Sequence, residues 1–332
     1  MVKSNVKWGI LGTSFISQQM AIAIAESTKG QLTAIASRDL SKANDFARKF
    51  SISQIYSNYT ALIDDPNLDA IYVGLPNHLH KEWTIKSLEA GKHVLCEKPL
   101  ALDEKEVFNM MTTAKKRGLV CMEAIMYRCH PLIQEIKTLL QQKLIGEIKL
   151  FQAAYTAKIA HLANPVAGGA IYNLGCYPLS LIQYLSNAEP VNLKAFGVKN
   201  SEHSHNDTHA SVILGFNDQS IAAITVSDGL EMSWQFMVWG SKGRLEMLTN
   251  PWFPTMGEQV FRVYLDNEEK PREIKLTSDL SAYTYQINTV NTLIQHPHTS
   301  LKEQVTLQES LHNIKLLKKW RNEVIGYLEE AF

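Results

Sequence analysis

Residues 6–17 read VKWGILGTSFIS: an apolar run of strand length ends at Gly12, and Thr13, Ser14, Phe15, Ile16 and Ser17 lead into a helix-period segment. A strand, a tight turn and a helix N-terminus in that order can cradle a pyrophosphate, because the first amides of the helix have no partner within it and point at the turn. The loop is incomplete as a dinucleotide fingerprint. Serine stands at positions 14 and 17, where the fingerprint carries glycine and then glycine or alanine. Serine is the least bulky polar substitute, and its hydroxyl can donate to a phosphate. Alone, this half-match also fits an ordinary strand-to-helix turn around Gly12.

The flanking sequence repeats the same alternation. Apolar runs at residues 6–12, 31–37 (QLTAIAS), 70–75 (AIYVGL), 93–97 (HVLCE) and 119–124 (LVCMEA) predict strands. Between them SKANDFARKF, HKEWTIKSLEAG and DEKEVFNMMTTAKKRG space apolar residues three and four apart, with Gly91 and Gly118 placed as stops. This predicts an α/β fold: an N-terminal, doubly wound parallel sheet of Rossmann type over residues 1–124. After residue 124 strand-length pieces such as VNLKAFGVK, HASVILGFN, SIAAITVS and WQFMVWGS follow one another between polar turns. They predict an α+β domain over residues 125–332 with a large open mixed or antiparallel sheet. Its uncovered face is a candidate surface for a homodimer or homotetramer. Glu303 to Glu330 has helical periodicity and is expected to pack as a helix.

Composition narrows the partners. The 33 basic and 33 acidic residues cancel, without the electropositive surface that nucleic acid requires. Apolar stretches stop short of the roughly 20 residues of a membrane span, and no export signal is expected. Cys96, Cys121, Cys129 and Cys176 lack CxxC spacing, so buried thiols in a reducing cytoplasm are expected. Alternate positions His78 and His80, without a third ligand nearby, predict no metal site.

The second strand ends in Ser37-Arg38, where an NAD-binding sheet usually offers a carboxylate to the ribose 2′-hydroxyl. A guanidinium there can pair with a 2′-phosphate and lie across the adenine, which predicts NADP in preference to NAD. Asp39 is the competing feature: were it to face the ribose, NAD would be used.

Further along, HVLCEKPLAL places Glu97-Lys98-Pro99 at the carboxyl edge of the sheet. With WGILGT, ASRDLSKA, YVGLPNHLH, MEAIMYR, GGAIYNLGCYP, WGSKG and NPWFP in the same order, the chain resembles the glucose-fructose oxidoreductase and inositol dehydrogenase (Gfo/Idh/MocA) family. It is most similar to the branch with dimeric dihydrodiol dehydrogenases and NADP-dependent D-xylose dehydrogenases. The resemblance implies that Lys98 sits beside the nicotinamide, with a cis bond to Pro99. It places Leu75, Asn77, His80 and Glu97 among the cofactor-binding residues. Glu123 and Arg128 match a segment running over the cofactor. Arg128 would contact cofactor or substrate, or form a salt bridge.

Oxidising an alcohol requires a base for its proton. The resemblance puts the proton carrier in GGAIYNLGCYP, where Asn173 and Tyr177, four apart, share a helix face. Tyr177 is the proton-transfer candidate, with Lys98 favouring its phenolate. Asn173 replaces the family's acidic residue; an amide can orient a hydroxyl but cannot take a proton. Tyr155, Lys158 and Trp252 would border the substrate, and an aromatic wall suits a sugar or cyclic diol. The implied activity is hydride transfer between a nicotinamide and an aldose, cyclic diol or polyol. The alternative is a dinucleotide-binding sensor or regulator of the same fold that has lost the chemistry.

Overall fold

The computed structural model describes residues 5–162, 167–200 and 206–330. Six parallel strands form the first sheet: β1 (Val6–Leu11), β2 (Gly30–Ala36), β3 (Gln54–Tyr56), β4 (Ala70–Val73), β5 (His93–Cys96) and β6 (Cys121–Glu123). Their order is β3-β2-β1-β4-β5-β6, with the reversal of direction falling between β1 and β4. Ligands bind open α/β sheets outside the carboxyl ends of the strands at such a switch point. All four residues of β4 are buried, as a sheet covered on both faces demands. The five strand segments read from the sequence all fall in this sheet. The sixth, β3, is a three-residue edge strand with two exposed positions, too short to leave an apolar run.

Helices α1 (Phe15–Glu26), α2 (Leu40–Phe50), α3 (Tyr59–Ile63), α4 (His80–Glu89) and α5 (Glu104–Arg117) connect these strands. Ser14, Asp39, Asn58 and Asp103 cap α1, α2, α3 and α5, each accepting from the amide three residues on. Gly118, at φ +65°, ends α5 in the left-handed conformation that its place in the sequence predicts.

The second sheet follows α6 (Pro131–Gln141) and contains β7 (Ile148–Thr156), then, after α7 (Cys176–Leu185), β8 (Pro190–Lys199), β9 (Asp207–Phe216), β10 (Ile221–Ser227), β11 (Ser233–Gly240), β12 (Gly243–Met247), β13 (Gly257–Leu265) and β14 (Arg272–Ser278). The order is β14-β13-β12-β11-β7-β10-β9-β8, mixed because β7 and β10 run parallel while their other neighbours are antiparallel. Side chains alternate across it. Leu193, Ala195, Val212, Leu214 and Ile224 are buried on the face that α7 covers, whereas Phe196 and Ile213 on the other face are 61% and 57% exposed.

The chain forms two compact units, Met1–His130 with Leu280–Leu311, and Pro131–Asp279 with His312–Phe332. The division after residue 124 therefore falls after His130, and a later segment returns to the first unit. That segment carries α8 (Ala282–Gln295) and the start of α9 (Leu307–Glu330). Polar contacts hold it: Trp8 Nε1 donates to Asn291 Oδ1 at 3.0 Å, and Thr284 Oγ1 to Glu26 Oε2 at 2.8 Å. The four cysteines are buried thiols, and burial pushes Cys121 and Cys129 up to about 12. Among the described residues no helix is long and apolar enough to cross a membrane.

Trp8 is fully buried, so its indole N–H has no water to turn to. Asn291→Ala should therefore lower stability by about 1–3 kcal/mol, read as an earlier midpoint in urea unfolding. An unchanged midpoint would mean that the contact contributes nothing.

Candidate active site

Gly12 turns out of β1 at φ +92°, and a Cβ there would lie 3.0 Å from Leu75 Cδ2 and 3.1 Å from the Gly74 carbonyl. Only glycine fits this turn without strain. Ser14 Oγ then accepts from Ser17 N at 3.2 Å and lies 2.9 Å from Ser17 Oγ. Ser17 is buried against Gly74, where a Cβ would come within 2.7 Å of the serine hydroxyl. The room that a third loop glycine usually gives to helix–strand packing is thus supplied by Gly74 at the end of β4.

A cleft of about 500 Å³ opens at these strand ends, with Gly12, Thr13 and Ser14 on one side and Ser37, Arg38 and Lys42 on another. Leu75 also lines it, Phe15 is 75% exposed at the mouth of the loop, and Ile16 is half-buried. Arg38 is exposed and makes no hydrogen bond or ion pair with any described residue. Asp39 is committed: Oδ1 accepts from Lys42 N at 3.2 Å, Oδ2 lies 3.8 Å from Lys42 Nζ, and its amide donates to Ser37 Oγ at 3.2 Å. Lys42 and Tyr59 line the cleft although sequence reasoning did not select them. Lys42 could have been found as a first-turn cation next to Arg38; Tyr59 carries no such signal.

The Lys98–Pro99 peptide is cis, as the resemblance implied. Lys98 is half-buried, and the backbone around it is pinned by buried side chains. Glu97 Oε2 accepts from Lys98 N at 3.2 Å while its Oε1 accepts from the Tyr72 hydroxyl at 2.6 Å. Glu123 Oε1 accepts from Leu100 N at 2.9 Å, and Ser310 Oγ bonds Glu123 Oε2 at 2.6 Å. Burial raises both carboxyls, Glu123 to about 7.

His80 and Arg128 sit differently from the expectation of cofactor contact. The His80 ring is 1% exposed, with Nδ1 2.9 Å from the Pro99 carbonyl and Nε2 2.7 Å from the Leu75 carbonyl. Both nitrogens thus face backbone carbonyls; the neutral ring carries one N–H and donates to one of them, whereas the imidazolium would donate to both. Burial favours the neutral ring and takes it down to about 4, against the pull of the two carbonyls. Arg128 is 4% exposed; its guanidinium bonds Glu309 at 3.2 Å and the Gln304 carbonyl at 3.1 Å. It forms the salt bridge rather than presenting a free cation. Asn77 is buried in the turn before α4.

In the second unit an aromatic cluster gathers around Tyr155. Its ring meets Tyr177 edge-on at 5.7 Å, Trp252 at 5.9 Å and Phe253 at 6.3 Å, and Phe253 also reaches Tyr177 at 5.6 Å. Edge-to-face pairs at such spacing are favourable beyond their burial. Trp252 is fully buried between Tyr155 and Phe236, so it braces the cluster from behind and presents no surface to a ligand. Lys158 is exposed and ion-paired with Glu231. Burial raises the Tyr155 phenol, which stays protonated at neutral pH. Asn173 lies in a π-helical turn, Ile171–Gly175, that runs directly into α7 and Tyr177. Such turns concentrate at functional sites. Asp207 Oδ2 anchors this one by accepting from Ile171 N at 2.8 Å.

A parallel sheet with this strand order, a glycine turn into a capped helix, and a cleft at the switch point define a dinucleotide-binding oxidoreductase fold. Residues 6–125 match the GFO/IDH/MocA oxidoreductase family with NAD-binding Rossmann fold, and residues 133–246 match a GFO/IDH/MocA C-terminal domain. An uncharacterized oxidoreductase of Rhizobium meliloti is 36% identical over 273 residues, covering 80% of each chain. The trans-1,2-dihydrobenzene-1,2-diol dehydrogenase of Xenopus tropicalis is 33% identical over 256 residues, 75% of this chain and 77% of that one. KijD10, a 3-ketoreductase from Actinomadura kijaniata solved with TDP-benzene and NADP, superposes with a TM-score of 0.85 at 26% identity, over 96% of this chain and 98% of that one. The chain belongs to the GFO/IDH/MocA oxidoreductase family.

The raised Glu123 carboxyl has a defined consequence for stability. The folded state holds its proton more tightly than the unfolded chain, so its contribution is favourable at acid pH and is lost as pH climbs from about 4.5 to about 7. Relative to wild type, Glu123→Gln should therefore gain up to about 3 kcal/mol between pH 5 and pH 8. Parallel stability curves across that range, from denaturant titrations, would contradict the assignment.

Proposed function

We propose that the protein is an NADP-dependent dehydrogenase that moves hydride between nicotinamide C4 and a carbinol carbon of an aldose, cyclic diol or polyol. The observation that carries the cofactor choice is the end of β2. The Arg38 guanidinium borders the cleft without a partner among the described residues, while the one nearby carboxylate, Asp39, caps α2. Lys42 lines the same wall, 3.8 Å from Asp39 Oδ2, and offsets that carboxylate. Together they support a 2′-phosphate over a free 2′-hydroxyl. NADP also accompanies the 3-ketoreductase structure, and the dihydrodiol dehydrogenase supports the substrate class.

The bound dinucleotide would accept or donate the hydride. The protein's own groups do the remaining work. The amides after Gly12 and the start of α1 face the pyrophosphate, and Lys98 stands on its pinned turn at the nicotinamide end. The Tyr177 phenolate takes the proton of the substrate hydroxyl in oxidation, becoming the phenol, and the phenol returns that proton in reduction. Asn173 orients that hydroxyl through its amide. The outer face of the large sheet, with Phe196 and Ile213 exposed, supports self-association as a dimer or tetramer. Asn173 also favours a second reading, a sensor that binds the dinucleotide without turning it over.

Arg38→Leu should weaken NADPH binding about tenfold or more and leave NADH binding nearly unchanged, measured by fluorescence titration; equal losses for both would sink the 2′-phosphate assignment. Tyr177→Phe should cut turnover by roughly 100-fold with cofactor affinity intact. Near-normal rates in that variant would remove Tyr177 from the chemistry.

A further inference from the structure

Two buried carboxylates flank Lys98, and their partners differ. Glu97 holds the amide of Lys98 itself and the Tyr72 hydroxyl. After burial, the Lys98 charge is the strongest influence on it, favouring its ionised form. Glu123, at the end of β6 and 3% exposed, is tied to Leu100 N and to Ser310 Oγ of α9, and feels Glu97 more strongly than Lys98. The neighbouring guanidinium, Arg128, is engaged by Glu309. The other titratable groups around Glu123 are the Cys96 and Cys121 thiols, which burial keeps neutral. Glu97 and Glu123 are the buried carboxyls that feel Lys98, and His80, which feels it too, is kept neutral by burial near neutral pH.

The Ser310 contact permits a change of state. A serine hydroxyl donates to a carboxylate and accepts from a carboxylic acid, while the Leu100 amide donates to Glu123 Oε1 in either case. A proton can thus enter or leave Glu123 with both of its hydrogen bonds kept. We propose that Glu123 is a positioning residue for the Lys98 turn, and that its proton sets the charge this turn presents to the nicotinamide. The proposal rests on the reading that Lys98 lies at the nicotinamide. An oxidised nicotinamide ring is cationic and a reduced one neutral, so an ionised Glu123 favours NADP over NADPH.

The test is the ratio of dissociation constants, Kd of NADPH over Kd of NADP, from about pH 6 to about pH 8.5. It is measured by NADPH fluorescence and by NADP competition with the full chain. The 2′-phosphate titrates in both forms of the cofactor and cancels from the ratio. In the wild type the ratio should rise roughly threefold to tenfold through neutral pH. Glu123→Gln, which keeps an acceptor for Leu100 N, should flatten the rise while still binding both forms. Ser310→Ala, which takes a donor from the carboxylate, should move it to higher pH, and it carries the test should the glutamine variant not fold. A rise that persists in Glu123→Gln, or stays unshifted in Ser310→Ala, overturns the proposal. Wild-type binding of both forms at a pH-independent ratio overturns it while leaving the cofactor reading intact. Failure of the wild type to bind either form overturns that reading and the proposal together.

Discussion

The turn around Lys98 is buried at the carboxyl edge of the sheet, so its backbone N–H and C=O groups need partners other than water. Much of the first unit is arranged to provide them. His80 comes from the start of α4 to the Pro99 carbonyl, Glu123 from β6 to the Leu100 amide, and Glu97 from the turn itself to the Lys98 amide. Each is a polar side chain withdrawn from water, which is unfavourable unless hydrogen-bonded. Their convergence leaves Lys98 as the half-buried cation on a backbone with little freedom. A fixed charge at a defined point is what electrostatic help to a reacting ring requires.

The same economy of space governs the nucleotide loop. Serines at positions 14 and 17 are tolerated because the opposing strand end supplies Gly74, and because their hydroxyls satisfy each other and the start of α1. A missing glycine in a motif is thus a question about its packing neighbour as much as about the loop. At the far side of the cleft, Asp39 caps its own helix and pairs with Lys42, and Arg38 is the cation there without a partner among the described residues.

The Rossmann sheet was legible because strand-length apolar runs and helix-period segments alternate without ambiguity, and the glycine stops agree with them. An open antiparallel or mixed second sheet was legible from its alternating strands, whereas the parallel pairing of β7 with β10 that makes it mixed leaves no mark in that alternation. The return of Leu280–Leu311 to the first unit was not: periodicity shows that a helix has an apolar face, but the partner of that face is decided by contacts such as Trp8–Asn291. The site divides in the same way. Gly12, Ser37 and Arg38 line the cleft at the strand ends, and the Lys98–Pro99 bond is cis. His80, Arg128 and Trp252 have suitable chemistry for a pocket, yet their polar groups or rings are taken up by the protein itself. Residue type alone cannot tell whether a ring nitrogen faces a ligand or a carbonyl. Phe253 and Tyr59 escape for the converse reason, since an aromatic in a turn or in a first helical turn is a common feature with no chemical signature.

We propose that this member of the GFO/IDH/MocA oxidoreductase family oxidises or reduces a CH–OH group with NADP. The most direct test is NADPH formation by the purified protein at mildly alkaline pH, with NADP and a panel of aldoses, inositols and cyclic trans-diols, and with NAD run in parallel. Turnover of one substrate class, faster with NADP than with NAD, is the predicted result. Tight NADP binding with no turnover across the panel would contradict it.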